Sequence, residues 1–337
     1  MATIYDIARY VGVSAGTVSR ALSRPEKVLP DTRKRIEQAA AALGYVPNAV
    51  ARTLRTQRSA KILITVPDIG NPFFAQVLKG AEEAAQAAGY AVLLGDTEHQ
   101  AEREERYAQM LPRNQADGMI VLGHRLPPTA REIVRQLGAT APVVNGCEFD
   151  PTLGIPSVHI DNAAAARTAM EHLYALGHAR IAVVGGPTDN PLHRQRLEGA
   201  MAAARAHGRV DLLTTVPGDF SVESGHAAAT QFLARAPAPT AAFCFSDQMA
   251  LGVLAACRDL GVRVPEDFSV VGFDDLASSR YLSPPLTTIS QPMREIGVRA
   301  ARLLLAIIEG VDVPHQQTLD FSLMLRGSTA APPERRL

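Results

Sequence analysis

The chain runs to 337 residues, 47% hydrophobic and 20% charged, with a formal net charge of zero. That balance excludes a mostly disordered chain and leaves enough length for two or three domains. No apolar run approaches the ~20 residues that span a bilayer, the start MATIYDIARY has no signal-peptide pattern, and Cys147, Cys244 and Cys257 show no metal-ligand spacing; the expectation is a cytoplasmic protein with no disulfide framework, no metal and no membrane partner.

The neutral total hides an asymmetry. Residues 1–60 hold ten Lys and Arg against four Asp and Glu, a charge of +6, so the other 277 residues carry −6. A small basic head on an acidic body is the footprint of a nucleic-acid-binding module joined to a larger domain.

In that head, Thr3 followed by Asp6 spells a capping box. Ile4, Ile7, Ala8 and Val11 then recur at helical spacing, and Gly12 ends the helix. Val13 packs the turn and Ser14 is placed to cap a second helix, 15 to about 22. A third helix, 31 to about 43, carries Ile36, Ala39, Ala40 and Leu43 on one stripe and closes at Gly44. Two short helices joined by a glycine-containing turn make a helix-turn-helix, and the third completes a small bundle. In the second helix Val18, Ala21 and Leu22 are expected inward, leaving Ala15, Gly16, Thr17, Ser19 and Arg20 outside. Arg20 suits a bidentate contact to guanine, and Ser14, Thr17 and Ser19 suit phosphate contacts.

From Lys61 the pattern changes to short apolar runs alternating with amphipathic stretches. Strands are expected at 62–66, 91–94, 119–122, 142–144, 181–184, 241–245 and 269–272, and helices at 73–88, 102–113, 129–137 and about 194–207. Alternation of this kind implies βαβ units and parallel sheets. The segments K79-G-A-E-E-A-A-Q-A-A-G-Y90 and E198-G-A-M-A-A-A-R-A-H-G-R209 share six of twelve residues, both glycines included. Two related α/β lobes facing each other across a cleft would bind a ligand beyond the carboxyl ends of their strands.

The stretch T-I-Y-D-I-A-R-Y-V-G-V-S-A-G-T-V-S-R-A-L (3–22) resembles the DNA-binding headpiece of the LacI/GalR repressor family, and G-Y-V-P-N-A-V-A-R-T-L-R (44–55) resembles its hinge helix. The resemblance continues through V-P-D-I-G-N-P-F-F (66–74), S-D-Q-M-A-L-G (246–252), V-P-E-D-F-S-V-V-G-F-D-D (264–275) and P-P-L-T-T-I-S-Q-P (284–292) to R-G-S-T (326–329). It implies a small all-α helix-turn-helix headpiece at 1–46, a hinge helix and linker at 47–60, and an α/β two-lobed, periplasmic-binding-protein-like core with Rossmann-like lobes at 61–337. The N-lobe is expected at about 61–158 plus 291–319, and the C-lobe at about 159–290 plus 320–330.

The same resemblance implies DNA contacts from Thr3, Ser14, Ala15, Gly16, Thr17, Ser19 and Arg20 in the headpiece and from Asn48, Ala51 and Leu54 in the hinge. Leu54 matches an apolar wedge that unstacks a base step. The partners implied are a palindromic double-stranded operator, a second copy of the chain, and a small-molecule effector. Effector positions carried over one at a time are Phe73, Phe74, Asn145, Asp161, Arg196, Phe220, Ser246, Asp274 and Gln291, while Asp275 is expected to point elsewhere. Within the family, L-x-G-D-x-x-H-Q (93–100), V-H-I-D-N (158–162) and P-L-x-x-x-R-L-x-G (191–199) are similar to cytidine-responsive members. Purine-responsive members carry Arg where Asn190 stands, which turns the expectation towards cytidine or another ribonucleoside, with a sugar or a purine as the alternative.

An enzyme is the competing class. No Walker loop, no G-x-G-x-x-G and no H-E-x-x-H occurs. His99, His159 and His193 fall near expected cleft loops and leave a nucleoside hydrolase as a distant alternative. No catalytic residue, metal ligand or cofactor is assigned.

Overall fold

A computed structural model describes residues 2–23, 25–45 and 58–333. The chain divides into two compact units, 1–59 and 60–337.

The first unit is a three-helix bundle of α1 (Ile4–Val11), α2 (Ala15–Ser23) and α3 (Pro30–Ala42). The capping box closes in both directions: Thr3 N–H donates to Asp6 Oδ2 at 2.9 Å, and Asp6 N–H donates to Thr3 Oγ1 at 3.3 Å. Gly12 sits at φ 76°, a left-handed conformation that costs glycine nothing, and its N–H returns to the Ala8 carbonyl. Ile7, Val18 and Ile36 are fully buried, one from each helix, and Arg35 Nη2 ties α3 to the Val11 carbonyl at 2.6 Å. Leu22 departs from expectation: it is 37% exposed and stands outside the headpiece core, which its neighbour Ala21 joins. Gly12-Val13-Ser14-Ala15-Gly16 fits the G-x-S-x-G spelling of a hydrolase nucleophile elbow, but it joins two helices rather than a strand and a helix. The hinge residues Asn48, Ala51 and Leu54 lie outside the described residues.

The second unit opens with β1 (Lys61–Val66), α4 (Pro72–Ala87), β2 (Ala91–Asp96), α5 (Ala101–Ala108), β3 (Gly118–Val121), α6 (Pro128–Leu137), β4 (Val143–Gly146) and β5 (Ser157–Ile160). Then follow α7 (Asn162–Ala175), β6 (Ile181–Val184), α8 (Pro191–Ala206), β7 (Leu213–Val216), α9 (Val222–Leu233), β8 (Ala241–Cys244), α10 (Asp247–Asp259), β9 (Ser269–Asp274) and β10 (Thr287–Ser290). The chain finishes with α11 (Met293–Ile308), β11 (Gln316–Leu319) and β12 (Ser322–Met324). Each expected strand is present within about two residues, while the expected 102–113 helix stops at Ala108.

The strands form two six-stranded sheets, ordered β11-β5-β4-β3-β1-β2 and β12-β10-β9-β8-β6-β7. Pairing is parallel throughout except where β12 runs antiparallel to β10. Stripped of β11 and β12, the two orders are identical, so the duplication hinted at by the sequence is carried by the topology. Strand β5 keeps the first sheet to Ile160, so the crossing to the second sheet falls after that residue rather than at 158. The chain returns through α11, which packs on the first lobe, and each sheet is completed by a strand from the C-terminal segment.

The first glycine shared by the repeated segments, Gly80 in one and Gly199 in the other, has a packing cause. A Cβ on Gly80 of α4 would stand 2.0 Å from the Arg294 carbonyl oxygen of α11, and one on Gly297 of α11 would stand 1.9 Å from the Val77 carbonyl. Gly199 of α8 meets the Ala163 carbonyl of α7 at 2.0 Å in the same way. Only a hydrogen fits where the backbones touch. Gly297→Ala is therefore expected to push α4 and α11 apart and to cost about 2–3 kcal/mol. Thermal unfolding checks it, and an unchanged midpoint would remove the close-approach argument.

Candidate functional site

The outward surface of α2 is small and polar. Ser14 Oγ accepts the Thr17 N–H at 3.1 Å, capping the helix as the sequence suggests, and pairs with Thr17 Oγ1 at 2.9 Å. Gly16 and Arg20 are exposed, Thr17 and Ser19 half-buried. Arg20 lies back along its own helix, Nε donating to the Gly16 carbonyl at 3.2 Å, and the residue is exposed. Ala15 is half-buried against the bundle core, so it offers less surface than expected. Thr3 is engaged in the capping box, where its hydrogen bonds hold the Asp6 carboxyl below its ordinary value.

In the second unit, a cavity of about 40 Å³ opens where strands of both sheets end. Parallel sheets place ligands there because the loops after the strands converge. Asn71, Phe73 and Phe74 follow β1, Cys147 and Glu148 follow β4, and Leu192 and Arg196 lie in the first turns of α8. Phe220 precedes α9, Ser246 caps α10, Asp274 ends β9 and Gln291 follows β10. The Phe73 and Phe74 rings meet edge to face at 5.3 Å, leaving an apolar wall. Cys147, Phe220 and Asp274 all hold positive φ (77°, 69° and 123°), a concentration of backbone strain typical of ligand clamps.

Arg196 is the electrostatic centre. Its Nε donates to Asn162 Oδ1 at 2.9 Å, Nη1 donates to the Phe245 carbonyl, and its guanidinium carbon lies 3.6 Å from the Phe273 ring centroid. Burial pulls it down to about 10, opposed by the charges of Asp274 and Glu148, so it stays cationic at neutral pH. Asp274 is pushed up to about 8 by burial, opposed by Arg196, and accepts Gln291 Nε2 at 2.7 Å. Burial also raises the Cys147 thiol, which makes it unreactive.

Because Asp274 holds its proton more tightly folded than unfolded, it contributes stability that is full below the ordinary value of 3.8 and is lost as pH rises towards about 8. Asp274→Asn removes that dependence. The melting point of the variant relative to the parent is expected to climb between pH 4 and pH 8, and a constant difference would show that the carboxyl is not protonated when buried.

Seven expected effector residues line this cavity: Phe73, Phe74, Arg196, Phe220, Ser246, Asp274 and Gln291. Asn145 and Asp161 do not. Asn145 is buried below the rim, with Nδ2 donating to the Val121 and Gly123 carbonyls and Oδ1 unpartnered. Asp161 is exposed and caps α7 by accepting the Ala164 N–H at 2.9 Å, while its neighbour Asn162 turns inward to hold Arg196. Asp275 points away from the cavity, where Arg326 Nη2 donates to Oδ1 at 2.5 Å. Asn71, Cys147, Glu148 and Leu192 went unrecognised in the sequence. A polar residue just past a buried strand was the available signal for Glu148.

The histidines do not converge: His159 stacks on Phe149 at 4.0 Å, His193 meets Phe245 at 5.8 Å, and His99 is exposed. Among the described residues no cluster of three or more His, Cys, Asp or Glu is placed to hold a metal, and no helix is long and apolar enough to cross a membrane.

A helix-turn-helix unit joined in one chain to a two-lobed core, whose cavity pairs an aromatic wall with a buried polar cluster, defines a DNA-binding regulator under small-molecule control. Residues 3–48 match the bacterial regulatory proteins of the lacI family, and residues 170–329 match a periplasmic binding protein-like domain. The HTH-type transcriptional repressor CytR of Escherichia coli (strain K12) is 43% identical over 334 residues, covering 98% of this chain and 97% of that protein. The HTH-type transcriptional repressor PurR of Photobacterium profundum is 36% identical over 307 residues, 90% of this chain and 91% of its own. The lac repressor dimer bound to operator and the anti-inducer ONPF superposes with a TM-score of 0.88 at 31% identity, covering 98% of this chain and 99% of that one. The chain belongs to the lacI family and is a transcriptional repressor of that family, not an enzyme.

Proposed function

We propose that the chain is a cytoplasmic, homodimeric repressor whose two headpieces read the halves of a palindromic operator and whose cavity takes a ribonucleoside such as cytidine as the releasing effector. Dimeric helix-turn-helix proteins place half-sites about one duplex turn apart, roughly 10 bp. Arg20 reads a base edge, Ser14, Thr17 and Ser19 meet phosphates, and Leu54 wedges into the minor groove between them. Effector closing the two lobes shifts the population away from the operator-binding arrangement.

The observation that carries the effector reading is the pairing, in one cavity, of an aromatic wall suited to a planar base with a polar cluster suited to ribose hydroxyls. Phe73, Phe74 and Phe220 supply the first, Arg196, Asp274, Gln291 and Ser246 the second. Asn190, where purine-responsive members carry Arg, is already committed to capping α8 and to Glu148, which disfavours a purine base.

The test is binding to a labelled operator fragment at one fixed salt concentration, since phosphate contacts make affinity steeply salt-dependent. Cytidine, adenosine, uridine and a panel of sugars are added in turn. Relief by a nucleoside alone supports the reading. Relief by a sugar discards the nucleoside, and no sequence-specific binding discards the operator mechanism. The chain has no Trp, so labelled DNA is the better reporter.

A further inference from the structure

One wall of the cavity carries a carboxylate that the effector positions taken from the sequence do not include. Glu148 sits just past β4, is buried, and takes both of its intramolecular hydrogen bonds on one oxygen. His124 Nδ1 lies 2.9 Å from Oε2, and Asn190 Nδ2 lies 3.2 Å from the same atom. The directions of both bonds are forced. Asn190 Oδ1 is occupied in accepting the Leu192 N–H at 2.8 Å, so its amide must present Nδ2 to Glu148. A carboxylate oxygen flanked by that donor requires His124 to carry its proton on Nδ1. The other oxygen, Oε1, makes no hydrogen bond among the described residues, and the residue lines the cavity.

The charged and hydroxyl-bearing remainder of the lining is otherwise disposed. Arg196 presents only N–H groups. Asp274, which burial pushes up to about 8, has one oxygen engaged by Gln291. Ser246 Oγ accepts the Met249 N–H as a helix cap. Glu148 Oε1 is thus a fixed acceptor in a cavity whose charged partner is a donor, and a buried acceptor rejects a ligand that offers it another acceptor.

We propose that Glu148 is the base-reading residue of this cavity, its Oε1 accepting an N–H from an exocyclic amine, so that the site takes amine-bearing nucleosides and rejects their oxo counterparts. The proposal rests on the nucleoside reading above and adds to it a residue and a chemical criterion. Cytosine offers N–H at ring position 4, where uracil offers a carbonyl oxygen. His124 and Asn190 are the positioning residues: they hold Oε2 and aim Oε1.

The anchoring makes the variant Glu148→Gln unusually informative. Two N–H donors at the Oε2 position demand an oxygen there, so the glutamine carbonyl must take that place and its NH2 must face the cavity. An acceptor becomes a donor without change of shape, and the preference should invert.

Calorimetric titration of the full chain with cytidine, uridine and the pyrimidin-2-one riboside, which has only hydrogen at position 4, tests this. The parent is expected to bind cytidine about tenfold or more tighter than either of the others. Glu148→Gln is expected to lose about tenfold for cytidine and to prefer uridine. A cytidine-to-uridine ratio unchanged by Glu148→Gln would overturn the assignment. So would equal parental binding of cytidine and the pyrimidin-2-one riboside, a result that needs no variant to fold. Parental binding of a sugar but of none of the three nucleosides would instead bring down the nucleoside reading, and this proposal with it.

Discussion

Arg196→Ala is expected to lower the stability of the second unit by about 3–5 kcal/mol and to abolish the effector response together. The stability loss comes from the groups left behind. Asn162 Oδ1 and the Phe245 carbonyl each lose a donor, the Phe273 ring loses its cation, and Asp274 loses the neighbouring charge that opposes its burial. Removing one member of a buried, hydrogen-bonded charge set costs that much because the rest cannot return to water. A fall in melting point of roughly 5–9 °C follows for a unit of this size. The loss of response comes from the same guanidinium, whose remaining N–H groups are the cavity's charged donors. Thermal unfolding and operator release, measured on one preparation, read the two effects. A variant melting within a degree of the parent would show that the Arg196 contacts contribute little; one that still released operator would remove Arg196 from the effector site.

Arg20→Ala is expected to weaken operator binding by about 2–6 kcal/mol, since a bidentate guanine contact is worth about 1–3 kcal/mol and a dimer makes it in both half-sites. That corresponds to roughly 30-fold to 10⁴-fold in affinity. The geometry supports the magnitude: Gly16 and the short side chains around it let the helix approach base edges, and Arg20 is held along the helix by one nitrogen while the residue stays exposed. The discriminating control is random DNA under the same salt. A base-reading arginine loses more on the operator than on random sequence, whereas a phosphate contact loses equally on both. Equal losses would reassign Arg20 to the backbone.

The headpiece was legible in nearly all its parts because its signals are local. The Thr3–Asp6 box, the Ile4–Ile7–Val11 spacing and Gly12 each act within four residues of their partners. Leu22 was misplaced because periodicity tells which side of a helix is apolar, not which residues on that side the neighbouring helices cover. In the core, apolar runs located strands to within about two residues, yet β5, β7, β10, β11 and β12 escaped notice. Short strands such as Gln316–Leu319, whose residues alternate between exposed and half-buried, carry little apolar signal of their own.

The adjacent pair Asp161 and Asn162 shows where the sequence stops deciding. Both are polar and both sit at a helix start; the N-cap geometry sends the aspartate to its own backbone and the asparagine to Arg196, 34 residues on. The sequence by itself determined the helix-turn-helix and the alternation of strands and helices, because these depend on spacing along the chain. The tertiary structure alone decided which polar side chain past each strand faces the cavity and that burial pushes Asp274 above the ordinary carboxyl range. It alone decided that Glu148 is held by His124 and Asn190, residues 24 and 42 positions away. Burial, field and hydrogen-bond partners belong to the folded surroundings of a group, and those surroundings are assembled from segments far apart in the chain.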